Sequence, residues 1–212
     1  MAQNIKKTTY NISGMHCVSC ALTIENNLKK LSGVKNVTVN FATQKAVVQC
    51  EGDVGYESEI IAAVKDSGYE AAVITETEEA FDQAQSIREK EIKKERSLFI
   101  FSLILTLPVM VLSMILRDTS YQSKIIQSLL AGIVQFYFGW RFYRGMYFAF
   151  KNKTANMDTL IAIGTSAAYF YSLATTYLIE GGIFYETSAL LITFVILGKW
   201  LEARAKGKTG EA

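Results

Sequence analysis

With a single histidine, His16, and only three cysteines, the sequence cannot readily supply the four ligands of a structural zinc site. Three cysteines are also no disulfide framework for a chain in the reducing cytosol. Positive and negative side chains nearly cancel, to a net charge of +2, so charge gives no argument for a nucleic-acid partner. No glycine-rich phosphate loop is present. No signal peptide opens the sequence: Met1 to Tyr10 is short, polar and strand-like, which predicts an N-terminal part that stays in the cytosol. The one proline, Pro108, falls inside a long apolar run.

What the sequence does have is unevenly spread. Up to about Arg96 it is ordinary soluble sequence with charges throughout; from Ser97 onward it is long apolar runs broken by short polar patches. Lys7 to Ile12 alternates like a strand, and Ala21 to Leu31 shows helical spacing that Ser32-Gly33 ends. Val34 to Phe41 and Lys45 to Cys50 read as strands joined by a short turn. Tyr56 to Lys65 is an amphipathic helix, and Ala71 to Thr75 a last strand. The order is βαββαβ, so the predicted class is an α+β ferredoxin-like domain over residues 1–75, followed by an all-α transmembrane region.

Residues 76–96 are acidic at their start and basic at their end, which predicts a linker that becomes a helix as it nears the membrane. Ser97 to Leu116 carries no charge and has the length of a membrane helix, with Pro108 expected to kink it rather than end it. Ile125 to Trp140, Thr159 to Ile179 and Ile183 to Trp200 are three further candidate spans, placing four between residues 97 and 205. Arg88 to Arg96, then Arg141, Arg144, Lys151 and Lys153, then Arg204, Lys206 and Lys208 flank the boundaries expected to face the cytosol. Arg117 and Lys124 are the only bases in the other loops. The expectation is a multi-pass protein of the cell membrane with both ends cytosolic.

Cys17 and Cys20 stand at a strand-to-helix junction, where i, i+3 spacing brings both sulfurs to one side of the first helical turn. Unpaired backbone N–H groups there favour a negatively charged complex. Two soft thiolates without a third ligand suit a soft ion that accepts two-coordinate binding, with Cu⁺ the biological candidate and Ag⁺ chemically equivalent. The competing reading of C-x-x-C is a thioredoxin-type redox pair, although no thioredoxin-like βαβ opening is present. Cys50, at the far end of a strand, reads as a buried core residue.

Gly14-Met15-His16-Cys17-Val18-Ser19-Cys20 within βαββαβ resembles the heavy-metal-associated domain of copper chaperones and copper-transporting P-type ATPases. Asn156 to Ser166 resembles the third span of those ATPases, and Phe184 to Lys206 the fourth. The resemblance implies Cys17 and Cys20 as ligands of the soluble domain. It implies Met157 and Glu202 as the pair receiving Cu⁺ at the cytosolic mouth, and Glu186 as a carboxylate on the release path. It also implies an amphipathic platform over about 139–152 that docks metal donors, built on Gly139, Trp140, Arg141 and Arg144. Relatives often have two glycines at its kink; here Phe138 precedes Gly139. The partners implied are Cu⁺, a cytosolic copper chaperone and membrane lipid. Charge gives this chain's own domain little hold on the platform, since residues 1–75 contain seven bases and seven acids.

The family's Asp-Lys-Thr-Gly phosphorylation motif, nucleotide domain and Cys-Pro-Cys are not in the sequence, and residues 206–212 read as the start of an actuator domain. Thr209-Gly210-Glu211 spells the actuator tripeptide, but directly after a span it is read as coincidence. ATP and Mg²⁺ would belong to the absent domains, so this chain alone is expected neither to hydrolyse ATP nor to pump, and it reads as a fragment or truncated product. The other functions weighed are a membrane-tethered Cu⁺ buffer without enzymatic activity and a Zn²⁺ or Cd²⁺ pump. His16 and Val18 stand where zinc pumps often place an acidic residue.

Overall fold

The computed structural model describes residues 5–15, 17–51, 56–74, 78–115 and 120–209. His16, Arg117 and Gly210-Glu211 therefore lie outside the described residues. The chain divides into two compact units, residues 1–84 with 145–157, and residues 85–144 with 158–212.

In the first unit, β1 (Ile5–Ser13), β2 (Val34–Asn40), β3 (Lys45–Glu51) and β4 (Glu70–Val73) form one antiparallel sheet in the order β2-β3-β1-β4. With α1 (Val18–Leu28) and α2 (Tyr56–Asp66) this is the ferredoxin-like βαββαβ fold. Alternation explains the strands: Val37 and Val39 on β2, and Ala46, Val48 and Cys50 on β3, point inward while their neighbours face outward. Tyr10, Ile12, Ile24, Leu28, Ile60 and Val64 complete a core from both strands and helices. α1 starts three residues earlier than helical spacing predicts and ends three earlier. Leu31 still packs on the core from the turn after the helix, which is why the apolar period runs past the helix end.

Residues 145–157 join this unit through hydrogen bonds without an ion pair among the contacts described. Asn27 Nδ2 donates to Ser67 Oγ at 2.8 Å and to Asn152 Oδ1 at 2.9 Å. Lys151 Nζ donates to the Asp66 carbonyl at 3.2 Å. Hydrogen bonds hold the contact where the balanced charge of the domain would not.

The second unit is helical. α3 runs from Glu78 to Met110 and is followed by one wide π turn, Val111–Ile115. The predicted linker is thus helical from Glu78 onward. Its composition of good helix formers, with a Glu89–Lys93 pair at 3.9 Å, supports a solvated helix without an apolar face. Pro108 lies inside α3, and the helix continues past it into the π turn, as expected of a kinking rather than a terminating proline. α4 (Tyr121–Ile133) ends in a second π turn, Val134–Phe138. α5 (Trp140–Lys151), α6 (Met157–Tyr177) and α7 (Tyr185–Thr209) follow, with α5 contributing to both units. By length and hydropathy, one described helix, Glu89–Met114, meets the requirement for crossing a membrane.

Candidate metal centre and membrane residues

The Cys17–Cys20 loop follows from the backbone on either side. β1 ends at Ser13, and Gly14 turns the chain with φ +88°, a conformation that costs a residue with a Cβ. Met15, 3 % exposed, anchors the loop into the core. Cys17 is extended and caps α1, and the Cys20 N–H donates to the Cys17 carbonyl at 3.0 Å. This tight first turn brings the two Sγ atoms to 3.5 Å. With metal–sulfur bonds of about 2.3 Å, two sulfurs on one ion lie at most about 4.6 Å apart, so the pair fits a single ion. Cys20 is buried and Cys17 half-buried, so Cys17 is the more accessible of the two sulfurs. The exposed side chains of Val18 and Leu22 lie on the same helix.

The three cysteines form no disulfide. Cys50 is buried in β3, where burial pushes its thiol upward from the usual range. It pairs across the sheet with Lys6, seven residues before the end of β1, which is about 23 Å from the C-x-x-C end of that strand. Cys50 is a core residue. Among the described residues no three His, Cys, Asp or Glu side chains come together as a metal cluster.

A scan against protein families matches residues 9–70 to the heavy-metal-associated domain. These residues are a heavy-metal-associated domain. The chain as a whole is homologous to the N-terminal portions of copper-transporting P-type ATPases. It is 39% identical over 226 residues to the "probable copper-importing P-type ATPase A" of Enterococcus hirae, covering 100% of this chain and 30% of that protein. It is 38% identical over 221 residues to the copper-exporting P-type ATPase of Bacillus subtilis, covering 98% of this chain and 27% of that one. The chain therefore spans less than a third of the curated relatives it matches. Among solved structures, it is similar to the N-terminal domain of a potential copper-translocating P-type ATPase from Bacillus subtilis in its Cu(I)-loaded state. That match has 34% identity and TM-score 0.32, and covers 35% of this chain and 92% of the other.

Beyond the heavy-metal-associated domain, the residues singled out in the sequence lie on three helices. Met157, half-buried, is the first residue of α6 and closes the first unit. Glu202 lies on α7 in the second unit, where it accepts a hydrogen bond from Lys199 Nζ at 3.1 Å. It is thus paired, not simply solvated at a basic helix end. Glu186 lies in the first turn of α7 and is half-buried, and its Oε2 is buried without a hydrogen-bond partner among the described residues. A buried acceptor without a donor is energetically costly.

On α5, Phe142 is 1 % exposed while Trp140 is 65 % exposed, so the helix presents one inward and one outward face. Arg141 is committed to Glu95, with its Nη1 at 2.9 and 2.7 Å from the two carboxylate oxygens. Its guanidinium also lies 5.9 Å from the Phe142 ring centroid. Arg144 is exposed. Gly139 joins the π turn to α5, and a Cβ there would collide with the Gln135 carbonyl oxygen. The single glycine is therefore required by close approach, even though Phe138 precedes it. Gly139→Ala is expected to destabilise the chain by about 1–2 kcal/mol, because the junction must open to admit a methyl group. Thermal unfolding in detergent measures this, and an unchanged midpoint would show the junction to be slack.

Sequence reading did not single out Asp158, Lys199, Glu95 or Gln135. Lys199 carried a signal, being a charge inside an apolar run. Asp158, 2 % exposed with Oδ1 unpartnered, is buried by tertiary packing and carried none.

Proposed function

We propose that this chain is the Cu⁺-receiving part of a copper-transporting P-type ATPase. It takes the ion from a cytosolic donor at Cys17 and Cys20 and passes it to a membrane acceptor that includes Met157 and Glu202. The 3.5 Å sulfur pair, at a helix start with no third ligand in the described residues, carries this reading. Two thiolates hold a soft monovalent ion tightly, and a thioether with a carboxylate holds it more weakly, so transfer runs from the soluble domain toward the membrane only if later steps remove the ion. Glu186, with its buried orphaned oxygen, serves release at the other side. ATP hydrolysis, and with it the direction of transport, belongs to parts of the parent protein beyond these residues. α3, α4, α6 and α7 act as spans, with the basic ends of α3 and α7 and the α5 platform on the cytosolic side, where the excess of lysine and arginine is retained.

Anaerobic Cu⁺ titration of the whole chain in lipid nanodiscs, against a competing chelator, tests the reading. Two phases are expected, one tight and one weaker, with the weaker lost in Met157→Ala and in Glu202→Gln. A tight phase that takes Zn²⁺ in preference to Cu⁺ would refute the copper assignment. A single phase would leave a tethered buffer in place of a transfer path.

A further inference from the structure

We propose that the basic face of α3, just before its apolar run, is a binding site for the phosphate headgroups of anionic phospholipid, formed by Lys90, Lys93, Lys94 and Arg96. The site rests on the reading of Glu89–Met114 as a membrane span, and adds to that reading which lipid the span selects.

The residues concerned all lie within the second unit, and all four bases are exposed. Lys90 is followed at three and four residues by Lys93 and Lys94, and Lys93 at three residues by Arg96, so cations adjoin one another along the helix. Like charges at that spacing destabilise a helix, and a face kept only for solubility would alternate in sign. Among the described residues Lys90, Lys94 and Arg96 have no carboxylate partner. Lys93 meets Glu89 at 3.9 Å with both side chains largely exposed, a contact that contributes little. Glu95 lies on the opposite side of α3, where it is committed to Arg141 at 2.7 Å. That acid is turned inward and the bases outward.

Their depth follows from the helix itself. The uncharged run begins at Ser97, and at 1.5 Å per residue Lys93, Lys94 and Arg96 stand within about 6 Å of it along the axis. The headgroup layer on one side of a bilayer is about 5–8 Å thick. Lys90 lies about one turn further out, and its long stem reaches the same layer. Trp140, exposed and adjacent to the Arg141 that Glu95 holds, puts on α5 at this level the residue type that favours the membrane interface. Four cations at headgroup depth, with one weak carboxylate contact among them, call for anions from outside the protein. A zwitterionic headgroup carries its own ammonium beside its phosphate, so the face selects lipid with net negative charge.

The test is lipid competition on the whole chain in mild detergent, with phosphatidylglycerol and phosphatidylcholine of the same acyl chains counted on the protein by native mass spectrometry. Phosphatidylglycerol is expected to bind about tenfold more tightly, and the preference to fall within about twofold in Lys90→Gln/Lys93→Gln/Lys94→Gln/Arg96→Gln. Glutamine keeps the helix propensity of these positions, so α3 is retained. Lys6→Gln/Lys7→Gln/Lys45→Gln/Lys65→Gln removes the same charge from exposed positions of the first unit and should leave the preference unchanged. Equal loss in the two variants, or no preference in the parent chain, would overturn the site. A separate measurement reads the span. Ile104 is 56 % exposed on the protein, so Ile104→Cys, in a Cys17→Ala/Cys20→Ala/Cys50→Ala background in nanodiscs, should be shielded from a water-soluble maleimide by lipid. Labelling there would overturn the span and the site with it, whereas shielding without lipid selectivity would overturn the site alone.

Discussion

Replacing Cys17 and Cys20 together by serine is expected to abolish the tight Cu⁺ phase, with a loss on the order of 10⁴-fold or more in affinity, because hydroxyls are hard, neutral ligands for a soft ion. The two single variants should differ in a way set by burial. Cys17 is half-buried, so Cys17→Ser removes a ligand at little cost to folding. Cys20 is 1 % exposed and packs into the core, so Cys20→Ser places a hydroxyl among apolar groups and should also lower stability by about 1–2 kcal/mol. Chelator competition reads the first effect, and thermal unfolding of the metal-free chain reads the second. Cys50→Ser separates the roles further. It should lower stability as Cys20→Ser does, by the same burial argument, and leave Cu⁺ affinity unchanged, since Cys50 sits at the opposite end of the sheet. Equal affinities for the parent chain and the double variant would place the metal elsewhere.

The heavy-metal-associated domain was legible in the sequence because its strands bury one face. Alternation at Val37, Val39, Ala46 and Val48 fixes β2 and β3 almost to the residue. The start of α1 was less legible, since C-x-x-C has no apolar period of its own and the helix begins at its second position, under an extended Cys17. The charged run before the membrane read as a linker because an exposed helix shows no hydrophobic period; propensity and same-face ion pairs specify it instead. Among the candidate residues, Lys199 and Glu202 are an i, i+3 pair that spacing alone makes neighbours. The Arg141–Glu95 pair is 46 residues apart in sequence, and the burial of Asp158 is likewise a product of packing, so neither is visible in one dimension.

Gln135 predicts the largest loss of stability in the helical unit. It lies in the π turn Val134–Phe138 and is fully buried. Its Nε2 lies 2.6 Å from Tyr143 Oη, 3.0 Å from Thr165 Oγ1 and 3.3 Å from Ser166 Oγ, and its Oε1 accepts from Ser188 Oγ at 2.6 Å. One side chain thus joins α5, α6 and α7 to the end of α4. Gln135→Leu keeps the bulk and removes every one of these bonds. The Tyr143–Ser166 contact of 2.6 Å survives, and Thr165 keeps its bond to the Ile161 carbonyl, so the Ser188 hydroxyl is the group left stranded. The expected cost is about 1–3 kcal/mol, toward the lower end if lipid-exposed alternatives compensate. Gln127 is the control. It is equally buried, but among the described residues its amide oxygen lacks a donor and its Nε2 reaches Ser123 on the same helix. Gln127→Leu should therefore be neutral or slightly stabilising, since it removes an unsatisfied polar group. Thermal unfolding of both variants in detergent decides the matter: equal losses would mean that amide burial in general, and not the four-helix connection at Gln135, sets the stability of the unit.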